Sequence, residues 1–197
     1  MNSTSKVKTI VLTGLLLALE VIFQTLGNYV QLGPANINLT LVTIVLAAVL
    51  CGPWSAMVLG FFNGVMAIFS PSTQAIFMPI NPWATVLVCL LKTALAGLGA
   101  SYIYKALAKN NRIVALVLAS VAVPVINTGL FTVGALLFFQ PWLEVGSSGY
   151  GGNWFLFLLL AVIGWNFLLE LATTVVVAPL AGEIVLRRND SLEKERA

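Results

Sequence analysis

Three charged side chains lie well inside long apolar segments of the sequence, away from their ends. They are Glu20, Lys92 and Glu170. A charge at the centre of a membrane costs at least about 2.5 kcal/mol, so such residues face a bundle interior or a cavity. A lysine with few charged neighbours suits the carboxylate of an anionic ligand. The alternative is structural: Lys92 pairs with Glu20 or Glu170 and holds a helical bundle together.

Further polar residues share helical faces with these charges. At about 100° per residue, Gln24 falls on the face of Glu20, and Asn166 lies one turn before Glu170. Asn127 marks a polar face on another segment. Amides at such positions either bind a ligand or join helices by hydrogen bonds. Because several segments each carry one polar face, we predict a shared polar pocket.

The segments that hold these residues are apolar enough to lie in a membrane. Of 197 residues, 59% are hydrophobic and only 9% are charged, whereas a soluble domain has about 25% charged residues. One membrane span needs about 20 apolar residues. The sequence therefore predicts an all-α integral membrane protein with a single six-helix domain over residues 1–197. The predicted spans are 7–26, 37–51, 54–70, 83–104, 113–139 and 154–186.

The basic residues orient these spans. Apart from Lys92, every lysine and arginine falls near the N-terminus, in the loop after the fourth span or after the sixth span. Because basic residues concentrate on the cytoplasmic side, both termini are predicted to be cytoplasmic. The chain is then a multi-pass protein of the cell membrane, and its first, third and fifth loops face outside.

The composition also limits the chemistry. Histidine is absent, which removes the commonest general base and metal ligand. The sequence has no glycine-rich loop of the Walker type. We therefore expect no catalytic residues, no metal, no cofactor and no nucleic-acid partner.

Small residues mark the opposite face of the first span. Gly14 and Ala18 are four residues apart, and their mean direction is about 140° from Glu20 on the helical wheel. Such a pair lets another helix approach closely. Either it packs inside the bundle or it contacts a protein partner.

A wider pattern covers nearly the whole chain. It combines the chain's size, the six predicted helices, the Gly14–Ala18 pair and residues 36–69, in which Gly52–Pro53 separates two apolar helices. In these features the sequence resembles the S components of energy-coupling factor (ECF) vitamin transporters, the subunits that capture the substrate. It looks closest to the pantothenate members.

The resemblance implies a site, a ligand and partners. One small water-soluble vitamin binds near the outer side, and Gly14 and Ala18 contact a membrane coupling subunit that carries two ATPase subunits. We prefer pantothenate, although folate and biotin also carry carboxylates. The implied contacts, to which the polar face of the first span adds Glu20 and Gln24, are Lys92, Asn81, Trp83, Asn127, Asn166 and Glu170.

Two other functions remain open at the level of sequence. A stand-alone secondary transporter or channel would show internal repeats with paired broken helices, and no convincing repeat is visible. A small membrane enzyme acting on lipid would use Glu20, Glu170 and Lys92 as acid, base and electrostatic stabiliser. The sequence offers no nucleophile–base pair at a recognisable spacing for that reaction.

Overall fold

The computed structural model describes residues 3–29, 31–32, 35–36 and 39–194. Within these ranges the chain is almost entirely helical. A short antiparallel hairpin joins β1 (Gln31–Leu32) to β2 (Ala35–Asn36). The α-helices are α1 (Ser3–Tyr29), α2 (Thr40–Leu50), α3 (Pro53–Ile68), α4 (Pro82–Leu107), α5 (Arg112–Phe138), α6 (Gln140–Ser147), α7 (Trp154–Leu156) and α8 (Trp165–Lys194). Two π-helical segments lie at Thr73–Phe77 and Phe157–Gly164.

Four helical stretches among the described residues are long and apolar enough to cross a membrane. They are Lys6–Gly27, Pro82–Leu107, Arg112–Phe138 and Asn166–Arg188. The helices α2 and α3 are apolar but shorter. At about 1.5 Å per residue, α2 is about 16 Å long, roughly half the thickness of the hydrocarbon core. The all-α membrane fold is thus confirmed, while the six-span topology and the side of each terminus stay predictions.

The segment expected to be the fifth loop contains a helix. Residues 140–153 include α6, a 3₁₀ turn at Ser148–Tyr150 and a glycine turn. Pro141 favours the start of α6 because its missing N–H is not needed in a first helical turn. Gly151 and Gly152 end the segment with φ values of 65° and 79°, a conformation that glycine adopts without steric cost.

The last predicted span is helical throughout, but it changes type along its length. Between α7 and α8 the stretch Phe157–Gly164 is π-helical. The second span was predicted to begin at residue 37, and α2 begins at Thr40. Residues 37 and 38 lie outside the described residues.

The helix α2 forms the centre of the bundle. Every residue from Thr40 to Val49 is buried. An apolar sequence on all sides of a helix predicts this, because no face is suited to water. The surrounding core includes Leu59 from α3, Ala96 from α4 and Leu116 from α5.

Close packing of α3 against α4 sets the position of the fourth helix. A methyl group at Gly60 would overlap the backbone of Thr93, and one at Gly64 would overlap the backbone of Cys89. Two glycines four residues apart allow this approach. Lys92 lies between Cys89 and Thr93 in the sequence. The close packing of α3 against α4 therefore also sets the position of Lys92.

Candidate functional site

A cavity of about 390 Å³ opens at one end of the bundle. Its walls come from the last turns of α1, α3 and α5, the first turns of α4 and α8, the Thr73–Phe77 segment and α6. The basic residues outside the cavity lie at the opposite ends of these helices, for example Lys8, Lys105 and Arg187. The bundle therefore has a cavity end and a basic end.

Lys92 supplies a positive charge to the cavity wall. Its ammonium nitrogen lies 5.4 Å from the centre of the Phe131 ring, within the range of a cation–π contact. Glu170 lines the same cavity, whereas Glu20 lies off its wall. The structural alternative, in which Lys92 pairs with a carboxylate, stays a prediction.

Two buried asparagines line the cavity in different hydrogen-bonding states. The Asn63 amide on α3 donates to the Thr40 hydroxyl over 2.7 Å, which fixes the orientation of Asn63. Asn127 on α5 is only 6% exposed. Its carbonyl oxygen has no hydrogen-bond partner among the described residues. An unpaired buried acceptor is costly, so Asn127 is ready to accept a hydrogen bond from a ligand.

Aromatic rings form the apolar side of the cavity. Phe77 lies at their centre, with ring centres 5.6 Å from Phe131, 4.9 Å from Phe139 and 5.1 Å from Trp142. Trp142 in turn lies 5.1 Å from Phe157. These contacts join the Thr73–Phe77 segment, α5 and α6, so that the wall is built from parts of the chain that are distant in sequence.

The structure brings five of the eight predicted binding residues to this cavity. Lys92 and Asn127 are described above, and Gln24 reaches the wall from the end of α1. Asn166 and Glu170 lie one turn apart at the start of α8, and both line the cavity. The four polar faces predicted on the first, fourth, fifth and sixth spans therefore meet at one cavity.

The remaining three residues lie off the cavity wall. Glu20 is fully buried beside the Asn63 side chain, yet neither carboxyl oxygen has a hydrogen-bond partner of proper geometry among the described residues. Asn81 caps α4, and its side-chain oxygen accepts the Ala84 N–H over 3.1 Å. Trp83 is 87% exposed, as expected for a ring at a membrane surface.

Several wall residues were not singled out from the sequence. Asn63 is the clearest example, because it is the one amide in α3 and interrupts an otherwise apolar run. That interruption was a usable signal. Trp142 lies in a segment that was expected to be a loop, and α6 brings it to the wall. The other polar wall residues that were missed are Ser70, Ser72, Thr73, Thr93 and Thr128.

The Gly14–Ala18 pair lies on the surface of α1. Both residues are exposed, and a methyl group built at Gly14 would meet no atom within 4 Å. Exposed apolar side chains surround them, including Ile10, Leu15 and Ile22. The pair is therefore not used for packing within the described part of the chain.

Comparison with known proteins identifies the chain at the level of a family. The model of the family described as "ECF transporter, substrate-specific component" matches residues 8–181. No curated protein and no solved structure matches the chain. The family match covers most of the 197 residues and includes every wall residue of the cavity.

Proposed function

Because the chain belongs to the family of substrate-specific components of ECF transporters, we propose that it captures pantothenate from outside the cell. The family consists of transporter components and not of enzymes. The chain is accordingly a multi-pass membrane protein and the substrate-binding subunit of an ECF importer. The vitamin, the binding residues and the direction of capture are the proposed parts.

The observation that carries this proposal is a single lysine in a cavity whose wall has one polar side and one aromatic side. Lys92 lies at the junction of the polar and aromatic sides, next to Phe131. Pantothenate has a carboxylate at one end, an amide in the middle, and hydroxyls beside a dimethyl-substituted carbon at the other end. A charge-assisted bond from Lys92 to the carboxylate would provide the strongest single contact.

The other groups of pantothenate also find suitable partners. The unpaired oxygen of Asn127 is an acceptor for an amide N–H or a hydroxyl. Gln24, Asn166 and Glu170 offer further acceptors on the same wall. The dimethyl-substituted carbon is suited to the aromatic rings around Phe77.

The size of the cavity favours a small ligand. Ligand pockets range from about 300 to 1,000 Å³, and this one, at about 390 Å³, lies at the lower end. Folate and biotin also carry carboxylates, but folate adds a pteridine, a benzene ring and a glutamate to be accommodated. Pantothenate is compact and flexible, and it therefore fits this volume better than folate does.

The proposed partners follow from the family and from the surface of α1. Exposed Gly14 and Ala18 offer a flat strip on which a helix of the coupling subunit can pack. Two ATPase subunits bound to that coupling subunit would supply the energy. The six predicted spans are too few to form two symmetric halves, so delivery would require the whole chain to reorient in the membrane.

Binding can be tested with the purified chain in detergent. Titration with pantothenate should quench the fluorescence of Trp142, which lies on the cavity wall. Pantothenol is the matched control ligand, because an alcohol replaces its carboxylate while the rest of the molecule is unchanged. We expect pantothenate to bind at least about tenfold more tightly, as for the loss of one charge-assisted hydrogen bond. Equal affinity for the two ligands, or stronger binding of biotin or folate, would overturn the assignment of pantothenate.

Transport can be tested in liposomes. The chain alone should bind radiolabelled pantothenate without accumulating it, and the coupling subunit, both ATPases and ATP should restore uptake. Concentrative uptake by the chain alone, driven by an ion gradient, would instead support a secondary transporter.

A further inference from the structure

A second cavity lies at the basic end of the bundle, far along the helices from the first. It is a groove of about 340 Å³ between the start of α5 and the end of α8. We call it the α5–α8 groove. It is lined by Ile113, Leu116, Pro179, Leu180, Glu183, Ile184 and Arg187.

The floor of the α5–α8 groove is apolar. On α8 the lining residues fall at Pro179, Leu180, Glu183, Ile184 and Arg187, which form one stripe along the helix. At about 1.5 Å per residue this stripe is about 12 Å long. Its apolar part suits a segment of hydrocarbon chain lying against α8.

Charged side chains form the end of the groove nearest the helix termini. Glu183 Oε1 accepts a hydrogen bond from Arg187 Nε over 2.8 Å, and its Oε2 lies 3.5 Å from Arg112 Nε. Glu183 thus lies between the two arginines. The Arg187 side chain is 73% exposed, so the outer edge of its guanidinium group faces the surroundings.

The location of the groove indicates what fills it. Among the described residues α5 and α8 are both membrane-spanning candidates, so we expect the apolar part of the groove to face lipid. Basic pockets between transmembrane helices bind the head groups of anionic lipids. A positive charge at the end of an apolar channel is complementary to a phosphate with an attached acyl chain.

We propose that the α5–α8 groove binds one anionic phospholipid. Its acyl chain lies along Leu180 and Ile184, and its phosphate accepts hydrogen bonds from Arg187. This site is separate from the vitamin cavity and does not depend on the identity of the vitamin. It would anchor the end of α8 to the lipid surface.

The test uses native mass spectrometry of the full chain in detergent. Dioleoyl phosphatidylglycerol is titrated against dioleoyl phosphatidylcholine, which has the same acyl chains and no net charge. The unmodified chain should retain one phosphatidylglycerol at concentrations where phosphatidylcholine dissociates. Arg187→Gln should weaken phosphatidylglycerol binding about fivefold. The matched control is Arg188→Gln, which removes the same charge from an exposed residue outside the groove.

A second pair of variants tests the acyl-chain channel. Leu180→Trp should fill the groove and displace the bound lipid, whereas Leu168→Trp, also exposed on α8 but outside the groove, should not. Equal retention of the two lipids would overturn the proposal, as would equal losses from Arg187→Gln and Arg188→Gln. If Leu180→Trp still bound phosphatidylglycerol but no longer bound the coupling subunit, the groove would be a contact site for that protein and not for lipid.

Discussion

The ammonium group of Lys92 on α4 lies over the ring of Phe131 on α5, 5.4 Å from the ring centre. This contact holds the lysine against the cavity wall without neutralising it, because the ring carries no net charge. The contact therefore leaves the positive charge of Lys92 in place at the cavity wall.

Lys92→Met is predicted to weaken pantothenate binding at least tenfold, because it keeps most of the apolar side chain and removes the charge. Titration of the purified variant measures this effect. Lys105→Met, at the other end of α4, is the matched control and should bind normally. If Lys92→Met bound normally but melted at a much lower temperature, Lys92 would have a structural role.

Asn127→Leu is predicted to weaken ligand binding without destabilising the empty protein. The Asn127 oxygen is buried and has no partner among the described residues, so its removal costs no internal hydrogen bond. Affinity should fall about tenfold, while the melting temperature without ligand stays the same or rises. A large fall in that melting temperature would show that Asn127 is needed for folding.

Glu20→Leu is predicted to leave binding unchanged and to maintain or raise thermal stability. The carboxyl group is fully buried, lacks a well-formed hydrogen bond within the described structure and lies off the cavity wall. Replacement of such a group by an apolar one of similar size is nearly neutral or stabilising. Thr40→Val provides the contrast, because it removes the acceptor of the Asn63 amide and should cost about 1 kcal/mol. Loss of vitamin binding in Glu20→Leu would instead show that Glu20 contributes to the binding site.

Gly64→Ala is predicted to destabilise the protein, because its methyl group would overlap the backbone of α4 at Cys89. Overpacking of this kind costs about 1–3 kcal/mol. Gly129→Ala on α5 is the matched control, since a methyl group there meets nothing within 4 Å and alanine is the better helix former by about 1 kcal/mol. Thermal melting in detergent should therefore shift down for the first variant and stay level or rise for the second.

Gly14→Leu and Ala18→Leu are predicted to prevent assembly with the coupling subunit while preserving vitamin binding. Both positions are exposed, and a methyl group built at Gly14 meets no atom of the chain within 4 Å. Leucine side chains there would push away a closely packed partner helix. Co-purification with the coupling subunit measures assembly, and titration of the isolated variants measures binding. Equal loss of both activities would mean that the pair packs internally.

The sequence by itself determined the environment, the helical character and the family of this protein. Long apolar segments with few charges can satisfy their backbone groups in a membrane only by forming helices or closed barrels. The period of the polar residues then assigned Gln24, Lys92, Asn127, Asn166 and Glu170 to faces that do line one cavity. The family resemblance was confirmed by the match over residues 8–181.

Only the tertiary structure decided which polar residues on those faces reach the cavity. A helical wheel gives a direction but not the neighbour in that direction or the depth at which the cavity begins. Glu20 and Gln24 share a face of α1, yet Glu20 is fully enclosed one turn deeper while Gln24 reaches the wall. Glu20 lies beside the Asn63 side chain of α3, whereas Gln24 lies closer to the end of α1, where the cavity opens. Trp142 joined the wall because α6 folds back onto the rings of Phe77 and Phe131 through contacts between residues far apart in sequence.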